Sequence, residues 1–291
     1  MSVDFTALEK LHPCFSLGRK SNNGRIHLPV SPNCNIFCKF CSRSVNGGEN
    51  RPGVTANIIT PEEALGVTRR ALELAPEITV VGVAGPGDAL ATPYAVETFR
   101  LIGAEFPRLI KCMSTNGLLL PEKIGELVQV GINALTVTVN AVSPEILSRL
   151  CSGIIYRGKK YGGEHGAKIL IENQLEGIRL AAGAGVTVKV NTVLVPDING
   201  EHIGVTAKAV KNAGAKLYNI IPLIPCHELK NFPVPTCSQI ESARGAAEEH
   251  IKVFRCCQHC RADAIGVPGG EDYGERVYLS KITASNTFSH G

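Results

Sequence analysis

Hydrophobic positions along the chain follow two alternating rhythms. Residues 25–31 (RIHLPVS) have period two, with Ile26, Leu28 and Val30 on one face and His27 on the other. Residues 78–84 (ITVVGVA) form a short apolar, β-branched run that suits a buried strand. Residues 109–114, 134–139, 186–193 and 217–223 read the same way. Helix-like stretches separate them, and several carry start signals. Thr60-Pro61-Glu62-Glu63 combines an N-cap, a proline in the first turn and acidic residues; similar starts lie at Ser143-Pro144-Glu145 and Pro121-Glu122. Six strands separated by helices predict a (βα)6 array, all parallel because crossovers are right-handed. The pattern leaves open whether the sheet is doubly wound or an incomplete barrel. Residues 151–166 (CSGIIYRGKKYGGEHG) read as a long, basic, glycine-rich loop, either a lid or binding loop or simply mobile. Beyond Pro225 the pattern changes: Pro225, Pro233 and Pro235 mark a linker, residues 239–251 look helical, and a cysteine-rich tail follows. The expected division is an N-terminal extension over 1–24, an α/β unit over 25–225 and a C-terminal extension over 226–291.

Composition narrows the classes. Hydrophobic residues make up 44% of the 291, enough for a large core and against disorder. The net charge is only +4 and the basic residues are dispersed, so no nucleic-acid partner is expected. No apolar run approaches the ~18 residues of a membrane span. The first residues, MSVDFTALEKLHPCF, contain no continuous apolar stretch, so no secretory signal is expected and a cytoplasmic location is. The unusual number is eleven cysteines, beside no tryptophan and two methionines. An odd count cannot be fully paired within one chain, which turns attention to metal binding, redox chemistry or buried thiols.

Cys34-Asn-Ile-Phe-Cys38-Lys-Phe40-Cys41 is a C-x3-C-x2-C triplet directly after the first expected strand. Thiolates suit zinc or iron–sulfur clusters. A structural zinc site closes with a fourth Cys or His, and none lies between Ser42 and Gly53. Three ligands on one tight loop therefore suggest a [4Fe–4S] cluster with one iron left open. The triplet, with an aromatic residue before its last cysteine, resembles the signature of the radical S-adenosylmethionine (SAM) superfamily. That resemblance implies a partial TIM barrel with the cluster at the C-terminal mouth of the strands. Gly85-Pro86-Gly87-Asp88, after the second strand, resembles the superfamily's glycine-rich motif for the SAM amino group; its bland reading is an ordinary Pro-Gly turn. Phe40 would then pack near adenine, and Thr138, Asn140 and Asn191 would reach ribose or carboxylate, or else be satisfied polar groups at strand ends.

Further chemistry lies outside the triplet. Cys14 precedes the first strand. His27 on the first strand and Cys112 on the third face one cavity if both point inward; singly, each reads as a bonded histidine and a small buried thiol. The tail Cys256-Cys257-Gln258-His259-Cys260 contains a C-x-x-C pair, read as metal-binding rather than redox because no thioredoxin-like context surrounds it.

Taken together, HPCFS (12–16), the Cys34 triplet, RPGV (51–54), VVGVAGPGDALA (80–91), KCMSTNGLLLP (111–121), VKVNTVLVP (188–196) and CCQHCRADAIGVPG (256–269) resemble the NifB family across nearly the whole chain. The form expected is the short one, without the carrier-like C-terminal domain of some members. The resemblance implies an α/β, partial (βα)6 TIM barrel of the radical SAM type with N-terminal and cysteine-rich C-terminal extensions. It implies up to three [4Fe–4S] clusters: the SAM cluster on Cys34, Cys38 and Cys41, a first substrate cluster on Cys14, His27 and Cys112, and a second on Cys257 and Cys260. The implied activity fuses the two substrate clusters into an 8Fe–9S–carbide core, with SAM supplying the carbon and an additional sulfur arriving. The implied partners are an iron–sulfur donor protein, an electron donor, and a carrier or scaffold for the product. Many members carry a further cysteine five residues after the triplet; Asn46 stands there in this chain, leaving Glu49 or Cys256 as substitutes. Cys151, Cys226 and Cys237 receive no role. Competing readings are a radical SAM enzyme with auxiliary clusters acting on a peptide or small molecule, a non-catalytic iron–sulfur carrier, and a zinc-stabilised barrel.

Overall fold

The computed structural model describes residues 4–17 and 21–278, and the backbone of 286–288. Six parallel strands form its centre: Gly24–His27, Ile78–Val83, Ile110–Thr115, Ala134–Thr138, Thr187–Leu194 and Leu217–Pro222. They hydrogen-bond in chain order. A doubly wound sheet reverses its order at a switch point; this one never does, so the sheet is an incomplete barrel. Its two edges carry short additions from the C-terminal part of the chain. Val253–Phe254 pairs parallel to the sixth strand, and Ile265–Gly266 pairs antiparallel to the first.

Period-two alternation divides each strand between two environments. Val81, Val83, Leu135, Val137, Val188 and Val190 face outward and pack on helix residues such as Val67, Phe99, Ile102, Leu127 and Ile178. The expected starts are present. Thr60 and Glu63 make a reciprocal capping box on helix Pro61–Leu74, and the Ser143 hydroxyl caps helix Pro144–Leu150. The segment before the first strand closes the lower end of the barrel. Leu8 and Phe15 pack against Val80, Ile110, Ala134, Leu217 and Phe254, which lie toward the N-terminal ends of their strands or on the edge addition.

Two expectations are corrected. The first strand ends at His27, because Pro29 and Pro32 remove backbone donors. The chain nevertheless runs on beside the second strand, bridging Ser31 to Pro86. Residues 151–166 are not a lid loop. They form a hairpin, Cys151–Tyr156 with Lys159–Gly162, followed by the start of helix Gly163–Gly183. Arg157 and Gly158 both have positive φ, 49° and 74°, as a two-residue hairpin turn requires. The hairpin pairs with Ile36–Cys38 through Ile36–Ile154 and Cys38–Cys151, so it braces the triplet loop from behind.

Candidate metal centre

The barrel encloses a cavity of about 360 Å³. His27, Gly82 and Cys112 are register neighbours on three successive strands and line it side by side. A Cβ on Gly82 would sit 3.5 Å from the His27 ring and 3.4 Å from the Cys112 carbonyl oxygen. The missing side chain leaves the space between the two candidate ligands clear. Gly82→Ala is therefore expected to fold but to lose iron held between them. Iron content and thermal melting in a background lacking the Cys34, Cys38, Cys41, Cys257 and Cys260 thiols check this; retained iron would refute it.

His27 Nδ1 lies 3.0 Å from the Arg261 carbonyl oxygen. The ring donates there, which leaves the Nε2 lone pair for a metal. Burial, reinforced by Arg25, lowers the His27 pKa to about 4, so the imidazole is neutral at physiological pH. Cys14, in the turn after helix Phe5–Leu11, and Cys112 share one apolar cluster with Cys257. Burial raises both the Cys14 and Cys112 thiols, Cys112 to about 12, while Lys189 opposes the shift. Cys260 Sγ accepts from Arg25 Nη2 at 3.1 Å. Charge on Cys257 or Cys260 would reach Cys14. The two expected substrate sets are thus contiguous.

Cys34, Cys38 and Cys41 line the same cavity from the loop beyond the first strand. Gly-Pro-Gly-Asp is locked against the approach to that loop: Gly87 N donates to Ser31 O at 2.7 Å and Asp88 N to Asn33 O at 2.8 Å. The buried Asp88 carboxylate accepts from Leu90 N, Thr115 Oγ1 and Asn116 N at 2.9, 3.0 and 2.5 Å. Burial raises its pKa and these donors oppose the rise. Asn116 in turn donates to Asn35 Oδ1 at 2.6 Å and approaches Cys34 Sγ at 3.8 Å. A single network therefore runs from Asp88 to the first triplet thiol.

Burial holds Cys34 up at about 12 and raises Cys41; a hydrogen bond with Cys151, then burial, raises Cys38. The free thiols are neutral at pH 7, and iron must displace their protons. Iron affinity should rise with pH by up to about tenfold per unit for each proton released. Calorimetry in buffers of different ionisation enthalpy checks the proton count; a count of zero would refute it. Among the described residues no three His, Cys, Asp or Glu side chains converge on one metal-ion position. In an iron–sulfur cluster each thiolate takes a separate iron, which suits such spacing.

The other expected residues divide. Phe40, Pro86, Gly87, Asp88, Thr138 and Asn191 line the cavity; Gly85, at φ 122°, does not. Asn140 does not line it: its Oδ1 accepts Val193 N at 2.9 Å, tying the end of the fourth strand to the fifth. Glu49 also lies outside, held by Asn46 Nδ2 at 2.8 Å and by Arg51. Cys256 lines the cavity beside Cys257 and Cys260. Of the unassigned cysteines, Cys151 bonds Cys38, Cys226 donates to Phe40 O at 2.8 Å beside Cys41, and Cys237 is exposed. Sequence reasoning passed over Arg25, His12 and Lys189, which also line the cavity. Arg25 and Lys189 were findable: each is two residues from a chosen residue, His27 and Asn191, and shares its face.

The family model for the radical SAM superfamily matches residues 28–210. Solved structures share the fold at low identity. Streptococcus suis SuiB bound to S-adenosylmethionine aligns with TM-score 0.57 and 10% identity, over 80% of this chain and 50% of that one. Methylornithine synthase (PylB) aligns with TM-score 0.54 and 15% identity, over 86% and 68%. FeMo cofactor biosynthesis protein NifB of Methanocaldococcus infernus is 46% identical over 97% of this chain and 94% of its own length. The chain belongs to the NifB family. The protein of that name from Methanocaldococcus jannaschii is 42% identical over 98% and 95%. That from Klebsiella pneumoniae is 38% identical over 89% of this chain, which spans 57% of it. This NifB-family chain is a radical SAM enzyme, and the superfamily implies a [4Fe–4S] cluster and SAM. The residues fit both: three half-buried thiols open onto the cavity, and at Gly87 the backbone approach leaves no room for a side chain. No helix among the described residues is long and apolar enough to cross a membrane.

Proposed function

We propose that this enzyme builds the iron–sulfur core of the nitrogenase FeMo cofactor, joining two [4Fe–4S] substrates into an 8Fe–9S–carbide unit. One observation carries the reading: the Cys34 triplet, the Cys14–His27–Cys112 set and the Cys257–Cys260 pair line one continuous cavity. A carbon delivered from SAM then need not leave the barrel to reach either substrate. Cys34, Cys38 and Cys41 hold the SAM cluster; Phe40, the 85–88 segment, Thr138 and Asn191 surround SAM. Bound there, SAM and its cluster supply a methyl group and a 5′-deoxyadenosyl radical.

The chain's own residues do the rest. Cys14, His27 and Cys112 hold the first substrate, and the imidazole makes that set easier to vacate than three thiolates. Cys257 and Cys260 hold the second. Cys256 is the third ligand in preference to Glu49, because it alone of the two lines the cavity. Asn46 contributes no thiol, and its side chain is engaged by Ser44 and Glu49. Packing of Leu8 and Phe15 across the lower end excludes water from the reacting groups. An iron–sulfur donor, a one-electron donor and a carrier or scaffold that takes the product are the required partners, in the reducing cytoplasm.

Anaerobic reconstitution with iron and sulfide, followed by incubation with methyl-labelled SAM, tests the proposal. Label in a protein-bound metal cluster together with 5′-deoxyadenosine is the expected result. Label confined to an organic product would overturn it.

A further inference from the structure

The lower end of the cavity holds two groups that the reading above leaves without work, Lys189 and His12. Lys189 points inward from the fifth strand and is 5% exposed. Its Nζ donates to the Cys14 carbonyl at 3.1 Å and lies 5.0 Å from the Phe15 ring centroid and 5.2 Å from that of Phe254. Among the described residues no carboxylate is paired with it. One carbonyl and two ring faces leave a buried ammonium short of an anion.

His12 is 2% exposed. Its Nδ1 accepts from Cys14 N at 3.1 Å, so the neutral ring carries its proton on Nε2. That Nε2 is buried without a partner. Both residues line the cavity with Cys14, His27 and Cys112, and the Lys189 charge is felt at His12 and at all three. A cationic donor and a neutral donor thus open onto the space that this ligand set encloses.

We propose that Lys189 and His12 form an anion-recognition corner that holds the sulfide atoms of the first substrate cluster through N–H···S bonds. This rests on the reading that Cys14, His27 and Cys112 bind that cluster. The charge balance agrees with it. A dicationic core with two thiolates and one neutral imidazole carries no net charge. Reduction, or arrival of a further sulfide, makes it anionic, and Lys189 stands where that charge develops. Both are positioning residues, acting on the cluster's sulfur and not as ligands to iron.

The test uses the full chain with Cys34, Cys38, Cys41, Cys257 and Cys260 replaced by alanine, so that bound iron reports the first site. After anaerobic reconstitution with iron and sulfide, EPR-monitored redox titration gives the midpoint potential, and transfer to a chelator gives retention. Lys189→Met should lower the potential and speed iron loss by about tenfold, the size of a lost charged hydrogen bond. Lys189→Arg should restore most of both, and His12→Phe should shift both by less in the same direction. Unchanged potential and retention in Lys189→Met and His12→Phe would overturn the inference while leaving the first-cluster reading in place. Failure of the five-alanine parent to hold iron would overturn the first-cluster reading itself, and this inference with it. Should Lys189→Met not fold, the His12→Phe and Lys189→Arg pair still decides.

Discussion

Gly87→Ala is expected to abolish SAM cleavage and to destabilise the protein by about 3 kcal/mol or more, at the upper end of overpacking effects. A Cβ there would stand 2.1 Å from the Asn33 carbonyl oxygen, 2.6 Å from its carbon and 2.9 Å from Ser31 O. These are backbone atoms, and they cannot swing aside as the end of a side chain can. The hydrogen bonds from Gly87 N and Asp88 N to the same stretch would break as the segments part. Asn33 precedes Cys34, so the displacement reaches the triplet within one residue. A shift of about 1 Å at a reacting centre costs on the order of a hundredfold in rate. Formation of 5′-deoxyadenosine under reducing conditions, measured beside iron content and urea denaturation, checks both effects. Gly125→Ala is the control. Gly125 is exposed on helix Leu120–Gln129 with nothing within 4 Å of the added carbon. That change should stabilise by roughly 0.5–1 kcal/mol. A Gly87→Ala protein that cleaves SAM at the parent rate would refute the account of the loop.

Asp88→Asn should be nearly as damaging despite its equal size. The carboxylate accepts from two backbone N–H groups, Leu90 through one oxygen and Asn116 through the other. An amide has one oxygen, so its NH2 must face one of those donors whichever way it is turned. The buried donor left unsatisfied costs about 1–3 kcal/mol. Function should suffer with stability, because Asn116 is held by this bond and itself reaches Asn35 and Cys34. Denaturation midpoints give the first effect. The EPR spectrum of the reduced cluster gives the second, since a moved Asn116 alters the polar surroundings of the Cys34 thiolate. An unshifted spectrum with unchanged stability would show that the network is incidental.

Much of this site was legible from local pattern. The triplet is contiguous, the strands alternate cleanly, and helix starts at Thr60 and Ser143 carry their caps in the sequence. Period two alone placed His27 opposite Ile26 and Leu28, and Cys112 on the face of Ser114. What local pattern could not supply was register. That His27 and Cys112 flank Gly82 depends on how three strands slide against one another. Lys189 was readable as inward-facing, but its company of Cys14, Phe15 and Phe254 comes from both ends of the chain. The hairpin after Cys151 was missed for a different reason. Its glycines and lysines read as mobility, whereas Arg157-Gly158 is a turn signal and the strands gain their partner only when the triplet loop lies alongside. Asn140 shows an alternative that local pattern leaves open and the neighbouring strand decides. A polar residue at a strand end looks ready for a ligand until the neighbouring strand's N–H takes its acceptor.

The bond from His27 to the Arg261 carbonyl joins two places that the sequence keeps far apart. Arg261 follows Cys260 directly, and its guanidinium also grips Asp263 and the carbonyls of Asn46 and Glu49. The tail that carries the Cys257–Cys260 pair therefore sets the orientation of His27, the imidazole proposed for the other ligand set. Any rearrangement of residues 256–261, such as the proposed capture of a cluster there would bring, changes the grip on that imidazole. If the two proposed berths fill, occupancy at one and readiness at the other are by this single bond mechanically linked.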